Sequence, residues 1–100
     1  MAVTEIITAF KQGQQDVFQV SVPGVLWHKW SLDGGNTWTN EAIAGPAGGV
    51  SGKALTLTVA EPKVSIVDGE CVVTVEDATT HVWNFKQSVT GAAWTPQALP

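Results

Sequence analysis

Trp27-His28-Lys29-Trp30-Ser31-Leu32-Asp33-Gly34-Gly35-Asn36-Thr37-Trp38 carries the chain out along one strand, round a tight turn and back. The first four residues place large side chains alternately on the two faces of an extended backbone. Asp33 follows at the reversal, where a short carboxylate accepts from backbone N–H groups of its own turn. Gly34 and Gly35 permit the positive φ that such a reversal needs. Ser31 and Thr37 are expected as the last and first residues of the flanking strands, and Trp38 returns the chain to an apolar layer. Asp33 is therefore expected to build the turn, since a metal site would need further oxygen ligands beside it.

Outward from this hairpin the chain keeps to short strands. Val17-Phe18-Gln19-Val20-Ser21-Val22 alternates at period two, with Phe18, Val20 and Val22 on one face. Pro23-Gly24 is a strong turn signal, and the next strand is expected over 25–32. Upstream, Ile6-Ile7-Thr8-Ala9-Phe10 reads as a strand and 11–16 as a polar turn. Downstream, a strand is expected over 38–43, then a small-residue connector over 44–52. Ala54-Leu55-Thr56-Leu57-Thr58-Val59 alternates again, with Leu55, Leu57 and Val59 inward, and Glu61-Pro62 ends it.

The pattern then starts over. Val64-Ser65-Ile66-Val67 is a strand and Asp68-Gly69-Glu70 a turn. Val72-Val73-Thr74-Val75 echoes 17–20, His81 to Lys86 echoes 25–30, and Ala92-Ala93-Trp94-Thr95 echoes 36–39. Trp83 minus Trp27 and Trp94 minus Trp38 both give 56. This is a two-fold internal repeat, with a first unit at 1–45, a linker carrying an extra strand at 46–62, and a second unit at 63–100.

A unit of four short strands has the size of one β-propeller blade. Ile6 and Ile7, Trp27 and Trp30, and Val72 and Val73 point to opposite faces, as expected for strands covered on both sides. The expected fold is all-β: two four-stranded antiparallel propeller blades per chain. Two blades cannot close a ring, and each would leave a bare apolar face larger than a soluble monomer carries. The ring is then expected to be completed by homo-oligomerisation, with three chains giving six blades. The alternative is an immunoglobulin-like β-sandwich, which buries one face per strand and needs no ring.

The pattern Ser-x-Asp-x-Gly-x-Thr-Trp, at Ser31, Asp33, Gly35, Thr37 and Trp38, resembles the Asp box of sialidase-type propellers. In those families the box is a structural device on the blade rim. The second copy is worn: Val89 stands where Asp33 does, while Gly91 and Trp94 survive. Leu26-Trp27-His28-Lys29-Trp30 resembles a run in the blades of seven-bladed bacterial propeller lectins. The two-blade layout is similar to the small fungal and bacterial fucose-binding lectins that assemble as propellers. The resemblance covers the first unit well and the second loosely. It implies a lectin with sites between adjacent blades and glycans, fucosylated ones included, as partners. One departure is plain: the trimeric fucose lectins use an Arg and a Glu beside a Trp, whereas this chain has no Arg and Trp27 aligns with the Glu.

The residues themselves suit sugar. Indole faces stack on the apolar C–H patches of a pyranose, while amide and ammonium groups bind its hydroxyls. Trp27, Trp30, Trp38, Trp83 and Trp94 are all stacking candidates, the first two and Trp83 foremost, with His28, Lys29, Asn84 and Lys86 as polar partners. Trp38 and Trp94 are expected in the core, and His28 and His81 as strand residues at the surface with no role as bases. A sialidase needs an arginine cluster and a tyrosine nucleophile, and both residue types are absent; no facing carboxylate pair stands out for another glycosidase. The expectation is a non-enzyme without cofactor. Other readings are a structural or adhesive module of a phage or surface protein, or an engineered fragment of a larger propeller.

Composition bounds the rest. One hundred residues make one domain. The net charge of -4, with Lys as the sole cation type, argues against nucleic acid. Cys71, the single cysteine, excludes an internal disulfide and reads as a buried thiol. His28, His81 and Cys71 lack zinc-ligand spacing. No apolar run is long enough to span a bilayer, and Met1 to Glu5 lacks the form of a signal peptide, so either cytosolic synthesis or prior removal of a leader is expected.

Overall fold

The computed structural model of the chain describes residues 6–8, 13–89 and 91–100, with side chains at 13–89 and 91–100. Eight strands follow one another: β1 (Ile6–Thr8), β2 (Gln15–Ser21), β3 (Val25–Ser31), β4 (Thr39–Ala44), β5 (Lys63–Val67), β6 (Glu70–Glu76), β7 (Val82–Gln87) and β8 (Thr95–Ala98). No helix is present among the described residues. The strands form two antiparallel meanders, β1-β2-β3-β4 and β5-β6-β7-β8. Among the described residues no strand crosses from one sheet to the other, so the Greek-key order of an immunoglobulin sandwich is not present there. The expected strand at 6–10 is seen over 6–8, and its last two residues lie outside the described residues.

The repeat governs the ladders. Gln19 pairs with Trp27 as Val75 pairs with Trp83, and Trp30 pairs with Thr39 as Lys86 pairs with Thr95. Hence the β2–β3 and β3–β4 ladders recur in β6–β7 and β7–β8 in one register 56 residues apart, whereas β5–β6 is offset by one residue from β1–β2. A bulge between Leu26 and Trp27 displaces β4 by one residue beyond that point.

The sheets stack front to back. The first sheet buries Asp16, Phe18, Val20, Leu26 and His28; the second buries Cys71, Val73, Val75, Phe85 and Gln87. Side chains alternate along a strand, and 56 is even. Had equivalent faces met, residues 72, 74 and 76 would lie opposite Phe18 and Val20. The odd-numbered set lies there instead, so the front of one unit covers the back of the next. Trp94 closes this layer, 2 % exposed, with its ring edge-on to Phe18 at 6.0 Å and 84°. Full burial of a side chain such as Phe18, Leu26, Ile43 or Phe85 contributes about 1.5–3 kcal/mol. The two backbones also approach each other at β1 and β5.

The expected strand over Ala54–Val59 is not a strand. Only isolated bridges form there, Gly45 with Ala54 and Leu57 with Asp77. The segment is a stitch across the ends of both sheets. Leu57 N donates to Gly24 O at 3.0 Å in the β2–β3 turn, and Ala78 N donates to Thr56 O at 2.9 Å in the β6–β7 turn. Leu57 is buried in the core, with Leu55 and Val59 packed beside it. The alternation therefore marks burial without a sheet edge to pair with.

Gly24 is what lets the stitch come this close. Its φ is +123°, and a Cβ there would stand 2.6 Å from Leu57 O and 2.8 Å from Leu57 N. Both neighbours are backbone and cannot swing aside. Gly24→Ala is expected to cost at least about 1–3 kcal/mol, read as a lower urea midpoint with an unchanged slope.

Candidate functional site

The residues singled out above fall on three surfaces. Strand alternation sends Trp27 and Lys29 to the outer face of the first sheet, and His28 and Trp30 to the inner one. Asn84 and Lys86 lie on the outer face of the second sheet, and Trp83 turns inward against the core. They do not gather into one site.

Trp27 is the open one. Its side chain is 41 % exposed. With Val17, Gln19, Ser21, Lys29 and Asn40 it lines a cleft of about 310 Å3. On its other flank Val25, Ala42, Gly45 and the 47–49 loop form a second depression. Trp38, expected in the core, is instead 39 % exposed on this side, with Lys29 Nζ 5.4 Å from its ring centroid. Among the described residues no second sheet packs over it as the first packs over Trp94. A broad apolar plane, an ammonium and two side-chain amides thus face solvent together. That combination suits a ligand with both apolar and hydroxyl surfaces.

His28 was expected at the surface as a ligand partner. It is 1 % exposed and cannot meet a ligand there. Phe18 stacks on it at 4.5 Å and Trp30 at 4.8 Å. Nε2 lies 2.8 Å from Asp16 Oδ1 and Nδ1 lies 2.9 Å from Glu41 Oε2. Each contact needs a proton, so either the ring carries two or a carboxyl holds one. Glu41 Oε2 also accepts from Trp94 Nε1 at 3.0 Å. The group is a polar pin running from β2 through β3 and β4 to the second sheet. Beside it, burial and then the Asp16 charge push the Cys71 thiol up to about 12, which leaves it unreactive.

The Asp33 turn is closed by its own side chains. Asp33 Oδ1 accepts from Ser31 Oγ at 2.8 Å and from Thr37 N at 2.9 Å, and Oδ2 accepts from Thr37 Oγ1 at 2.6 Å. Gly35 N donates to Ser31 Oγ at 2.8 Å, and Trp38 Nε1 to Gly35 O at 3.1 Å. These bonds, led by the Thr37 hydroxyl, hold the Asp33 carboxyl down at about 2.

A second acidic turn was not singled out in the sequence. Asp77 accepts from Thr79 Oγ1 at 2.7 Å, from His81 N at 3.0 Å and from Trp83 Nε1 at 2.9 Å. These donors, Thr79 first and Trp83 next, hold its carboxyl well below the usual range. Lys53 Nζ sits 4.8 Å from the Trp83 ring centroid. So Trp83, the repeat partner of Trp27, is tied and capped where Trp27 is open. The signal was available: an Asp two residues before a Thr is a turn-forming pair. Among the described residues no acidic, His or Cys cluster could hold a metal ion. No described helix is long and apolar enough to cross a membrane.

No family model, curated protein or solved structure matches the chain.

Two outcomes test this geometry. The Asp33 carboxyl is held at about 2 in the folded chain, below its ordinary value of 3.8. Its contribution is therefore full above about pH 4 and lost as pH falls through 2. Urea midpoints are expected to drop over that interval, and Asp33→Asn to start lower at pH 7 and drop less. His28→Leu removes one hydrogen bond from Asp16 and one from Glu41, at about 1–3 kcal/mol for each, measurable by the same unfolding titration.

Proposed function

We propose that the chain is a lectin: two propeller blades per chain, completed into a six-bladed ring by three copies, with glycan bound at Trp27. The observation that carries the reading is the open Trp27 indole beside Gln19, Lys29 and Asn40. An indole that large is normally covered unless it has something to cover it from outside. A pyranose has one face of C–H groups to stack on it and a rim of hydroxyls for the two side-chain amides.

Front-to-back stacking supports the ring. Two sheets joined through equivalent faces would be finished as a sandwich. Two sheets joined front to back leave one back and one front uncovered, and the same rotation joins those in turn. The tight Asp33 turn, similar to an Asp box, belongs to the rim in this reading. Trp27 lies toward the β2–β3 turn, so closure of the ring makes its cleft the mouth between two blades.

A single site is expected to be weak, and a ring that presents several together to gain about 10²–10⁴ in apparent affinity. The experiment is a glycan array with the parent chain and Trp27→Ala, alongside free monosaccharide titration. Expected are strong binding to dense glycan surfaces, weak binding to free sugar, and loss of array binding in Trp27→Ala with its circular dichroism melt unchanged. A parent that binds no glycan surface ends the lectin reading. A variant that binds as well as the parent removes Trp27 from the site.

A further inference from the structure

We infer that Trp38 is the residue by which one copy grips the next, and that its seat is the Thr74–Asn84–Gln97 row on the outer face of the second sheet. The inference rests on the ring proposed above and not on its glycan part.

The contact already exists once inside each chain. Trp94 lies edge-on to Phe18 at 6.0 Å and to His28 at 5.5 Å, and its Nε1 donates to Glu41 Oε2 at 3.0 Å. Phe18, His28 and Glu41 are direct neighbours across β2, β3 and β4. Trp38 precedes Trp94 by 56 residues and stands 39 % exposed. The residues 56 beyond Phe18, His28 and Glu41 are Thr74, Asn84 and Gln97. They too are direct neighbours, across β6, β7 and β8. Thr74 Oγ1 donates to Asn84 Oδ1 at 2.6 Å, which fixes the floor of the seat. Gln97 stands where Glu41 does, and its carbonyl can accept the Trp38 N–H in exchange for Gly35 O, a bond now at the surface.

Charge agrees with this pairing. In the inner layer Val20 and Phe85 belong to one apolar cluster. In the outer pair of faces their places are taken by Glu76 and Lys29, of opposite sign. Lys63 and Lys86 share the Glu76 face, so the pair is set within mixed charge and is not a bare acidic patch meeting a bare basic one. Trp38 and its seat are on opposite outer faces of one chain. The contact is therefore head-to-tail and can be made only with another copy.

The test is native mass spectrometry and sedimentation of the full chain, of Trp38→Ala and of Asn84→Trp, each checked for a parental circular dichroism spectrum. If Asn84→Trp loses that spectrum, Gln97→Trp fills the seat in its place. The parent is expected as a closed oligomer. Each variant alone is expected as a monomer, its self-association weakened at least about 30-fold, as for a central interface tryptophan. An equal mixture is expected to give a one-to-one pair and nothing larger. In that pair the Trp38 of the seat-filled chain enters the free seat of the Trp38→Ala chain. A monomeric parent overturns both this contact and the ring, whatever the glycan array shows. An oligomeric parent with a Trp38→Ala variant of unchanged mass, or a mixture that forms no pair, overturns this contact and leaves the ring standing.

Discussion

The two sheets are held in register by one carboxylate oxygen. Glu41 Oε2 shares a hydrogen bond with the His28 ring of its own sheet and accepts the indole N–H of Trp94 from the other. Apolar burial pulls the sheets together without preference for angle or offset. A hydrogen-bonded group inside that layer is satisfied in one arrangement only, and a slipped arrangement takes the Trp94 N–H away from the half-buried Glu41. Stacking of Phe18 and Trp30 on the two sides of His28 keeps the ring from turning out of line. The end of the layer is closed by the 54–59 stitch, which reaches the β2–β3 turn on one sheet and the β6–β7 turn on the other.

Much of the fold could be read from the chain because it is written twice. The spacing of 56 between tryptophans predicts two equal four-strand units, and the ladders follow it. The Asp33 turn was legible because every partner of its carboxylate lies within four residues. The 54–59 segment was misread for a physical reason: period-two alternation reports which side chains are buried, and pairing needs a free strand edge as well.

The site was less legible. Trp38 and Trp94 occupy one local frame, yet one is covered and the other is not. Only the neighbouring sheet makes the difference, and no local pattern contains it. His28 misled for a similar reason. Alternation separates Trp27 and Lys29 from His28 and Trp30 but does not say which pair faces in. A polar residue between two aromatic ones gives no sign that Asp16 and Glu41 arrive from adjacent strands to meet it.

Cys71 has a practical side that its burial creates. It is the chain's only thiol, sits within the layer between the sheets and is fully covered. A maleimide or iodoacetamide molecule can reach it only after the sheets part or the layer frays. The labelling rate of the unaltered chain thus reports how often the two units separate, without any probe being introduced. It gives each chain its own clock for the breathing of the joint between its repeats.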